Sequence, residues 1–515
     1  METTGIGLLA RKRLAACLAA ALALASGTAA ANAASHPASP RAATMLDRVR
    51  NGDPPPLPSW WKQPDPAEIA QRWHPAPHAI PEVPANSIVV QNCNDSGPGS
   101  LRQAFADANS DDTIDLTQLS CSTITLTTGS ILFTQTSITL QGPGSKYLAI
   151  SGNDQYAPLL HDGLGTLYIN DLTIEHGAKY FTDAQVDDAR GGCIFSGGEV
   201  FVSDSVIEYC KATNTSTTHR ARGGAIYAAT GVSLSNSSLI DSQVVSSGAG
   251  GAGVFTPGFF DMSDSFLAGN SGGNYGGGAY AFEMNVKYST ISENTSYGSG
   301  GGLYSLGNTS ITNSTFDHNS AAYGGGLTMN ALNATMPATL LNSTISYNLA
   351  IGAAGAFVGD YAHVRVANTT IAFNHDTAMN KYGAGLYVYG TVEVESTIVS
   401  NNTYAGGTAP DDVAGNAGAV ITGHNNLFGF SSVPPPADTI TLQSAMLGPL
   451  AFNGGSTRTQ MLLSGSPAIN TGNDMANVSF DQRGSGYPRT IGGGTDIGAY
   501  ELNTNDVIFA NGFDP

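Results

Sequence analysis

Charge is what this sequence has least of. Only 12% of its 515 residues are Asp, Glu, Lys or Arg, about half the usual share for a soluble protein. So few ion-pairing residues exclude a coiled coil and a charge-expanded disordered chain. Basic residues are the scarcer kind, with 21 Lys and Arg against 40 Asp and Glu and a formal net charge of −19. Nucleic-acid binding needs clustered Lys and Arg, so that class is excluded as a partner. No uninterrupted apolar run reaches the ~18 residues a transmembrane helix requires. A soluble or peripherally attached mature protein is therefore expected. Tryptophan and cysteine are also sparse, at 3 and 5 residues.

The first residues read as an export signal. Arg11, Lys12 and Arg13 precede a short apolar run, Leu14 to Ala25, and Ala31-Asn32-Ala33 offers a cleavage site. Leu14-Ala15-Ala16-Cys17 has the letters of a lipoprotein box, but it follows the basic cluster directly instead of closing the apolar region. Cleavage after residue 33 removes Cys17 and leaves Cys93, Cys121, Cys193 and Cys210. An even number in an exported chain favours disulfides over metal, since no Cys-x-x-Cys or His spacing accompanies them. Three pairings are open, and the local one, Cys93 with Cys121 and Cys193 with Cys210, is expected.

Between 165 and 405 one phrase recurs nine times, from Asp171-Leu172-Thr173-Ile174 and Asp204-Ser205-Val206-Ile207 to Asn368-Thr369-Thr370-Ile371 and Glu395-Ser396-Thr397-Ile398. Its apolar anchors fall at 174, 207, 239, 267, 291, 316, 345, 371 and 398, spaced by 24 to 33 residues. An asparagine follows the anchor by three positions in six copies, at Asn270, Asn294, Asn319, Asn348, Asn374 and Asn401. Glycine clusters such as Gly300-Gly301-Gly302 and Gly324-Gly325-Gly326 precede most phrases. Gly and Asn tolerate the left-handed backbone of sharp corners, and the runs between them are short and β-branched. One such unit cannot bury its own apolar face, whereas stacked units share an interior and form side-chain ladders about 4.8 Å apart. The expected fold is all-β, a right-handed parallel β-helix with an N-terminal cap and a C-terminal capping or anchor-like region. Leu101, Ala104, Phe105 and Ala108 fall on one side of a short amphipathic helix suited to that cap.

These repeats resemble the pectin-lyase-like β-helix superfamily, in particular the glycine-rich repeats of polymorphic outer-membrane and adhesin-type proteins. Asn94 to Phe105, containing Ser100-Leu101-Arg102-Gln103-Ala104, is similar to the CSLREA-type segment of exported bacterial β-helix proteins, with Gly99 where the cysteine usually stands. Leu447-Gly448-Pro449-Leu450, Gly465-Ser466-Pro467-Ala468-Ile469-Asn470, Asp481-Gln482-Arg483-Gly484 and Asp496-Ile497-Gly498-Ala499-Tyr500-Glu501 resemble a choice-of-anchor C-terminal domain. Ile508 to Asp514 looks like a short terminal sorting motif. The resemblance implies a bacterial protein that is exported to the outside or the outer membrane. The expected organisation is a signal peptide at 1–33, a Pro-rich linker at 34–85 holding Trp60, Trp61 and Trp73, a cap and first coils at 86–160, repeats at 161–430, an anchor-like domain at 431–503 and a tail at 504–515.

Chemistry is harder to locate. If Ile174 and Ile207 point inward, strand alternation turns Asp171 and Glu175, and Asp204 and Glu208, outward. Stacking of successive coils would then gather four carboxylates into one patch, beside a loop carrying Asp183, Asp187, Asp188 and Arg190. Carboxylates about 5 Å apart suit calcium or the acid and nucleophile of a retaining glycosidase. Against catalysis, the loop cations Lys179, Arg190, Lys211, Arg220 and Arg222 form no recognisable motif, and no phosphate loop or zinc signature occurs. The leading expectation is a non-catalytic surface protein that binds polysaccharide or a cell-surface partner in adhesion or display. The alternative is a polysaccharide lyase or glycoside hydrolase.

Overall fold

The computed structural model describes residues 87–503, apart from 183–186, 247, 249, 333–335, 379–381 and 405–408. The expected signal peptide, the Pro-rich linker with its tryptophans, the tail at 504–515 and Asp183 lie outside the described residues. The chain is an all-β parallel β-solenoid with almost no helix. It divides into two compact units, one running to Asp261 with Ser265–Asn274 and Ala279–Phe282, the other from Glu283 with Met262–Asp264 and Tyr275–Gly278.

In the first unit the expected helix forms at Leu101–Asp107, with the Ser100 side chain accepting from the Gln103 N–H and with Leu101, Ala104 and Phe105 buried. Phe105 stacks on Phe133 at 4.3 Å, which fixes the helix against the first coils. One coil shows the plan of the rest. Ile194–Ser196 leads to Glu199–Ser203, then to Val206–Glu208, then to Lys211–Asn214. Each strand pairs in parallel with its equivalent one repeat away, Ile207 meeting Ile174 on one side and Leu239 on the other. Those three anchors are completely buried. Asp171, Asp204 and Asn236 make the corner before the Val206–Glu208 strand and its equivalents, with φ of 56°, 50° and 45°. Asp and Asn adopt this left-handed backbone at least cost among residues with a Cβ. Cys93 and Cys121 bond with Cα atoms 6.4 Å apart, as do Cys193 and Cys210 at 5.4 Å. The local pairing is thus the one formed.

In the second unit the asparagines form a continuous ladder. The Nδ2 of Asn294, Asn319, Asn348 and Asn374 each donate to the Oδ1 of the next, ending on Asn402, at 2.8–3.0 Å. The same Oδ1 atoms also accept a backbone N–H, as Asn348 does from Asn319 at 2.9 Å. The ninth repeat is read one residue out of register in the sequence. Ile371 pairs with Val399, not Ile398, and the ladder continues through Asn402, not Asn401. Asn401 instead takes the left-handed corner at φ 64°. The one-residue slip follows from Ser396, which occupies the corner that Asn368 fills one coil earlier. Tyr347 and Phe373 hold the equivalent of the Asn401 corner at φ 58°. Aromatic residues are strained there, and stacking of His318 on Tyr347 at 5.5 Å and of Tyr347 on Phe373 at 5.4 Å offsets the cost.

Ile440–Thr441 adds the last strand to the stack, pairing in parallel with Leu427–Phe428, and from Ala445 the chain turns back. This C-terminal stretch lies along the side of the second unit, over the outer face of the short strands. The Thr315 hydroxyl donates to the Arg458 carbonyl, Thr344 to the Gln482 amide oxygen, and Thr370 accepts from the Ala499 N–H. Arg458 pairs with buried Asp317 at 2.6 Å. Burial works to raise the Asp317 carboxyl, but Arg458 and His318 outweigh it and hold it below its ordinary range. Leu447, Leu462, Ala468 and Ile497 pack on Ala372, Ile398 and Leu427 to make a second small core.

Candidate functional site

The four carboxylates expected to form one patch separate into two pairs. Asp171 and Asp204 are corner residues, so strand alternation does not govern where they point. Asp171 accepts from Gln141 Nε2 at 3.0 Å and Asp204 from Asn236 Nδ2 at 2.6 Å. Glu175 and Glu208 end their strands, paired in register one rung apart. Within each coil the two acids stand four positions apart, about 13 Å of chain when extended. Burial raises the Glu208 carboxyl, and the charges of Glu175 and Asp241 push it further up while His176 opposes them. Among the described residues no three His, Cys, Asp or Glu side chains converge as a metal ion requires, at this patch or elsewhere. The arginines nearby are engaged: Arg190 pairs with Asp187 at 3.1 Å and Arg222 with Asp188 at 3.2 Å. Arg190 also lies over Tyr227, and Arg222 over Phe255.

Glu208 therefore weakens the fold at neutral pH. An acid raised in the folded state withholds stability as pH climbs from its unfolded value through its folded one. Glu208→Gln is expected to raise the melting temperature at pH 7 and leave it unchanged at pH 3. Equal melting at both pH values, or a lower one at pH 7, would contradict the like-charge contact.

A different surface assembles in the second unit. Phe357 and Tyr387 are the outward residues of paired strands Ala356–Val358 and Leu386–Val388. Their rings stack at 5.9 Å with 5° between planes. Tyr389 packs against both, at 5.6 Å from Phe357 and 5.3 Å from Tyr387, and Tyr382 lies 6.4 Å from Tyr387. Tyr323 joins them across Gly352, where a Cβ would come within 3.2 Å of the tyrosine ring. Tyr323 is 41% exposed, and Phe357, Tyr382, Tyr387 and Tyr389 are half-buried. Burial pushes the Tyr387 phenol up to about 12, with Tyr389 adding to the shift, and burial raises Tyr323 in the same direction. The Tyr387 and Tyr323 hydroxyls therefore stay protonated at any physiological pH and remain hydrogen-bonding groups. The signal for this surface was present in the alternation of Tyr387, Val388 and Tyr389, although the strand itself ends at Val388. Tyr323 and Phe357, by contrast, come from other coils.

Behind the tyrosines lie three buried acids. Asp376 Oδ1 accepts the Ala378 N–H at 2.7 Å, and Asp411 Oδ2 accepts the Ala384 N–H at 3.2 Å. Asp412 Oδ1 accepts both the N–H and the Nδ2–H of Asn402 at 2.8 Å, so a carboxyl ends the asparagine ladder. The other oxygen of Asp376 is buried with no hydrogen-bond partner, whereas the Asp412 carboxyl is also reached by the Phe430 backbone N–H. Burial pushes the Asp412 carboxyl up to about 7, with Asp411 adding to it, and raises Asp376 well above the ordinary carboxylate range.

No family model matches the chain, and no curated protein sequence does either. Among solved structures, the pectate lyase Pel9A is similar to it in fold, with 12% sequence identity, a TM-score of 0.38, and coverage of 82% of this chain and 98% of that one.

Proposed function

We propose that the protein is an exported β-solenoid that binds a polysaccharide strand without cleaving it, and that the tyrosine surface of the second unit is where the strand lies. The single observation behind this reading is the group of four tyrosines and one phenylalanine gathered from three coils onto one partly exposed face. Aromatic faces stack on the C–H faces of sugar rings, and neutral phenols hydrogen-bond to sugar hydroxyls. A column of coils repeats this chemistry along its length, as a polymer repeats its residues. The two disulfides and the N-terminal sequence support export, and display on a cell surface is the use such a binder serves.

The test is binding of the purified protein to neutral and acidic polysaccharides, by glycan array and then calorimetry. Replacing Tyr387 and Tyr389 together by alanine is expected to weaken binding at least tenfold, about 1.4 kcal/mol, with the β-sheet circular dichroism unchanged. Unaltered affinity would remove the tyrosine surface from the reading.

A second reading is a glycoside hydrolase or lyase at Glu175 and Glu208. It is favoured by two acids one rung apart, one of them raised as a general acid must be. Release of reducing or unsaturated ends from a polysaccharide, abolished by Glu208→Gln, would establish it. No release from any polysaccharide that the protein binds would dismiss it.

A further inference from the structure

The outward rings of the two units are roofed by different chemistry. In several coils of each unit one residue stands directly before a left-handed glycine, at Gly191, Gly223, Gly276, Gly324 and Gly383, with φ of 62–66°. In the first unit that residue is Arg190 or Arg222. Their guanidinium groups lie over the ring one coil further on, Arg190 at 5.4 Å from the centre of Tyr227 and Arg222 at 5.1 Å from that of Phe255. In the second unit it is Tyr275, Tyr323 or Tyr382. Tyr275 packs on Tyr304 at 4.9 Å and Tyr382 on Tyr387 at 6.4 Å. The same place in these coils thus holds a cation in one unit and a neutral phenol in the other.

Among the described residues no other group brings positive charge to the tyrosine surface. The described Lys and Arg of the second unit are Lys287, Arg365, Arg458, Arg483 and Arg489. Lys287 and Arg365 sit on a different sheet from Phe357 and Tyr387, and Arg365 is tied to Glu395. Arg458 and Arg483 are tied to Asp317 and Asp481, and Arg489 donates to the Asp496 carbonyl. The buried groups behind the rings are the acids Asp376, Asp411 and Asp412, which supply no positive charge in either protonation state. Lys381, next to Tyr382 in the chain, lies outside the described residues.

We infer that the tyrosine surface selects an uncharged glycan, and that the residue before the left-handed glycine sets this selectivity. The inference rests on that surface being the glycan site. A uronate carboxylate or a sulfate ester carried onto the rings gives up water, meets the negative faces of the π-systems and finds no cation. The C–H groups of a neutral sugar suit those faces, and the phenols replace water at its hydroxyls. Arginine at the roof position reverses the preference, because a guanidinium lies over a ring and still offers a carboxylate two parallel N–H donors.

Calorimetry on the full chain tests this with glucan, mannan, xylan and galactan, each as its hydroxyethyl and its carboxymethyl ether. The two ethers add similar bulk without and with charge. Work in about 1 M salt, where the screening length is about 3 Å, removes the general repulsion from a net charge of −19. The carboxymethyl ether of the backbone that binds is expected to bind more weakly than the hydroxyethyl ether by about tenfold or more. Tyr382→Arg is expected to narrow that ratio about tenfold. Tyr323→Arg takes its place should the first variant lose its β-sheet circular dichroism. Lys381→Gln is expected to leave the ratio unchanged. Equal or tighter wild-type binding of the carboxymethyl ether overturns the inference, and so does a ratio that the arginine variants do not move. A ratio that widens in Lys381→Gln reveals a cation at the surface and overturns it too. The double alanine variant of Tyr387 and Tyr389 separates these failures from that of the glycan site. Carboxymethyl strands held by the wild type and lost by the double variant leave the surface a glycan site of the opposite selectivity. Binding that survives in the double variant, or no binding of any strand, removes the glycan from this surface and the inference with it.

Discussion

Asn348→Ala is expected to destabilise the second unit by about 4 kcal/mol, since two buried donors are orphaned at roughly 1–3 kcal/mol each. Asn348 Oδ1 accepts the backbone N–H and the Nδ2–H of Asn319, and its own Nδ2 reaches the Phe316 and Ser346 carbonyls and Asn374 Oδ1. Truncation leaves the Asn319 donors inside the stack with no water to replace the acceptor. It also leaves space against Gly326, whose absent Cβ would lie 3.1 Å from the Asn348 Nδ2. Glycine and asparagine are thus matched on facing positions, and neither tolerates exchange alone. Equilibrium denaturation followed by circular dichroism measures the loss, with Asn416→Ala in an exposed loop as control. A difference between the two variants under about 1 kcal/mol would show that the ladder only decorates a stack held by its apolar anchors.

Arg483→Met is expected to release the C-terminal stretch from the side of the second unit. The Arg483 guanidinium is almost fully buried, bonds Asp481 through two nitrogens and donates to the Glu501 carbonyl at 2.6 Å. It is held between the rings of Tyr487 and Tyr500, at 4.0 and 3.8 Å from their centres. Removing one partner of such a pair leaves an uncompensated buried charge and costs about 3–5 kcal/mol. That loss falls on the residues that dock this stretch, since Asn313 Nδ2 donates to the Asp481 and Gln482 carbonyls and Gln482 accepts from Thr344. Arg483→Lys is expected to fail similarly, because an ammonium cannot fill the planar slot between two rings and bond bidentately. Limited proteolysis is the measurement: the variant should be cut between 445 and 503 while the repeats survive. Digestion at the wild-type rate would place the anchoring of this stretch in its apolar contacts instead. The neighbouring acids add a pH dependence, since burial pushes Glu501 up to about 8 and raises Asp496. Both withhold stability as pH rises, so the wild-type stretch should be held more firmly at pH 6 than at pH 9.

Much of the solenoid was legible in the chain because its interactions run between equivalent positions of successive repeats. Ile174 over Ile207 and Asn319 over Asn348 follow from spacing alone, whereas the local pairing of Cys193 with Cys210 was the preferred one of three that the sequence left open. Where the spacing argument failed, a corner was the cause. Asp171 and Asp204 were assigned as strand residues and proved to be left-handed corners, which divided the expected four-carboxylate patch. Ser396 took a corner usually held by Asp or Asn, which displaced the ninth anchor to Val399. The tyrosine surface was half legible, in Tyr387 and Tyr389, and its other rings were separated from these by whole coils.

The scarcity of charge now has a physical sense. Parallel stacking sets each side chain about 4.8 Å from its like, so a repeated charge repels itself along the column, as Glu175 and Glu208 do. The sequence by itself determined the fold class and the columns, because those depend on neighbours one repeat apart. The tertiary structure alone decided the rest: that Arg458 neutralises Asp317 across 141 residues of chain, that the C-terminal stretch packs along the side, and that a carboxyl ends the amide ladder beside the tyrosines. Such contacts join stretches with no common period, and only the folded backbone brings them within reach.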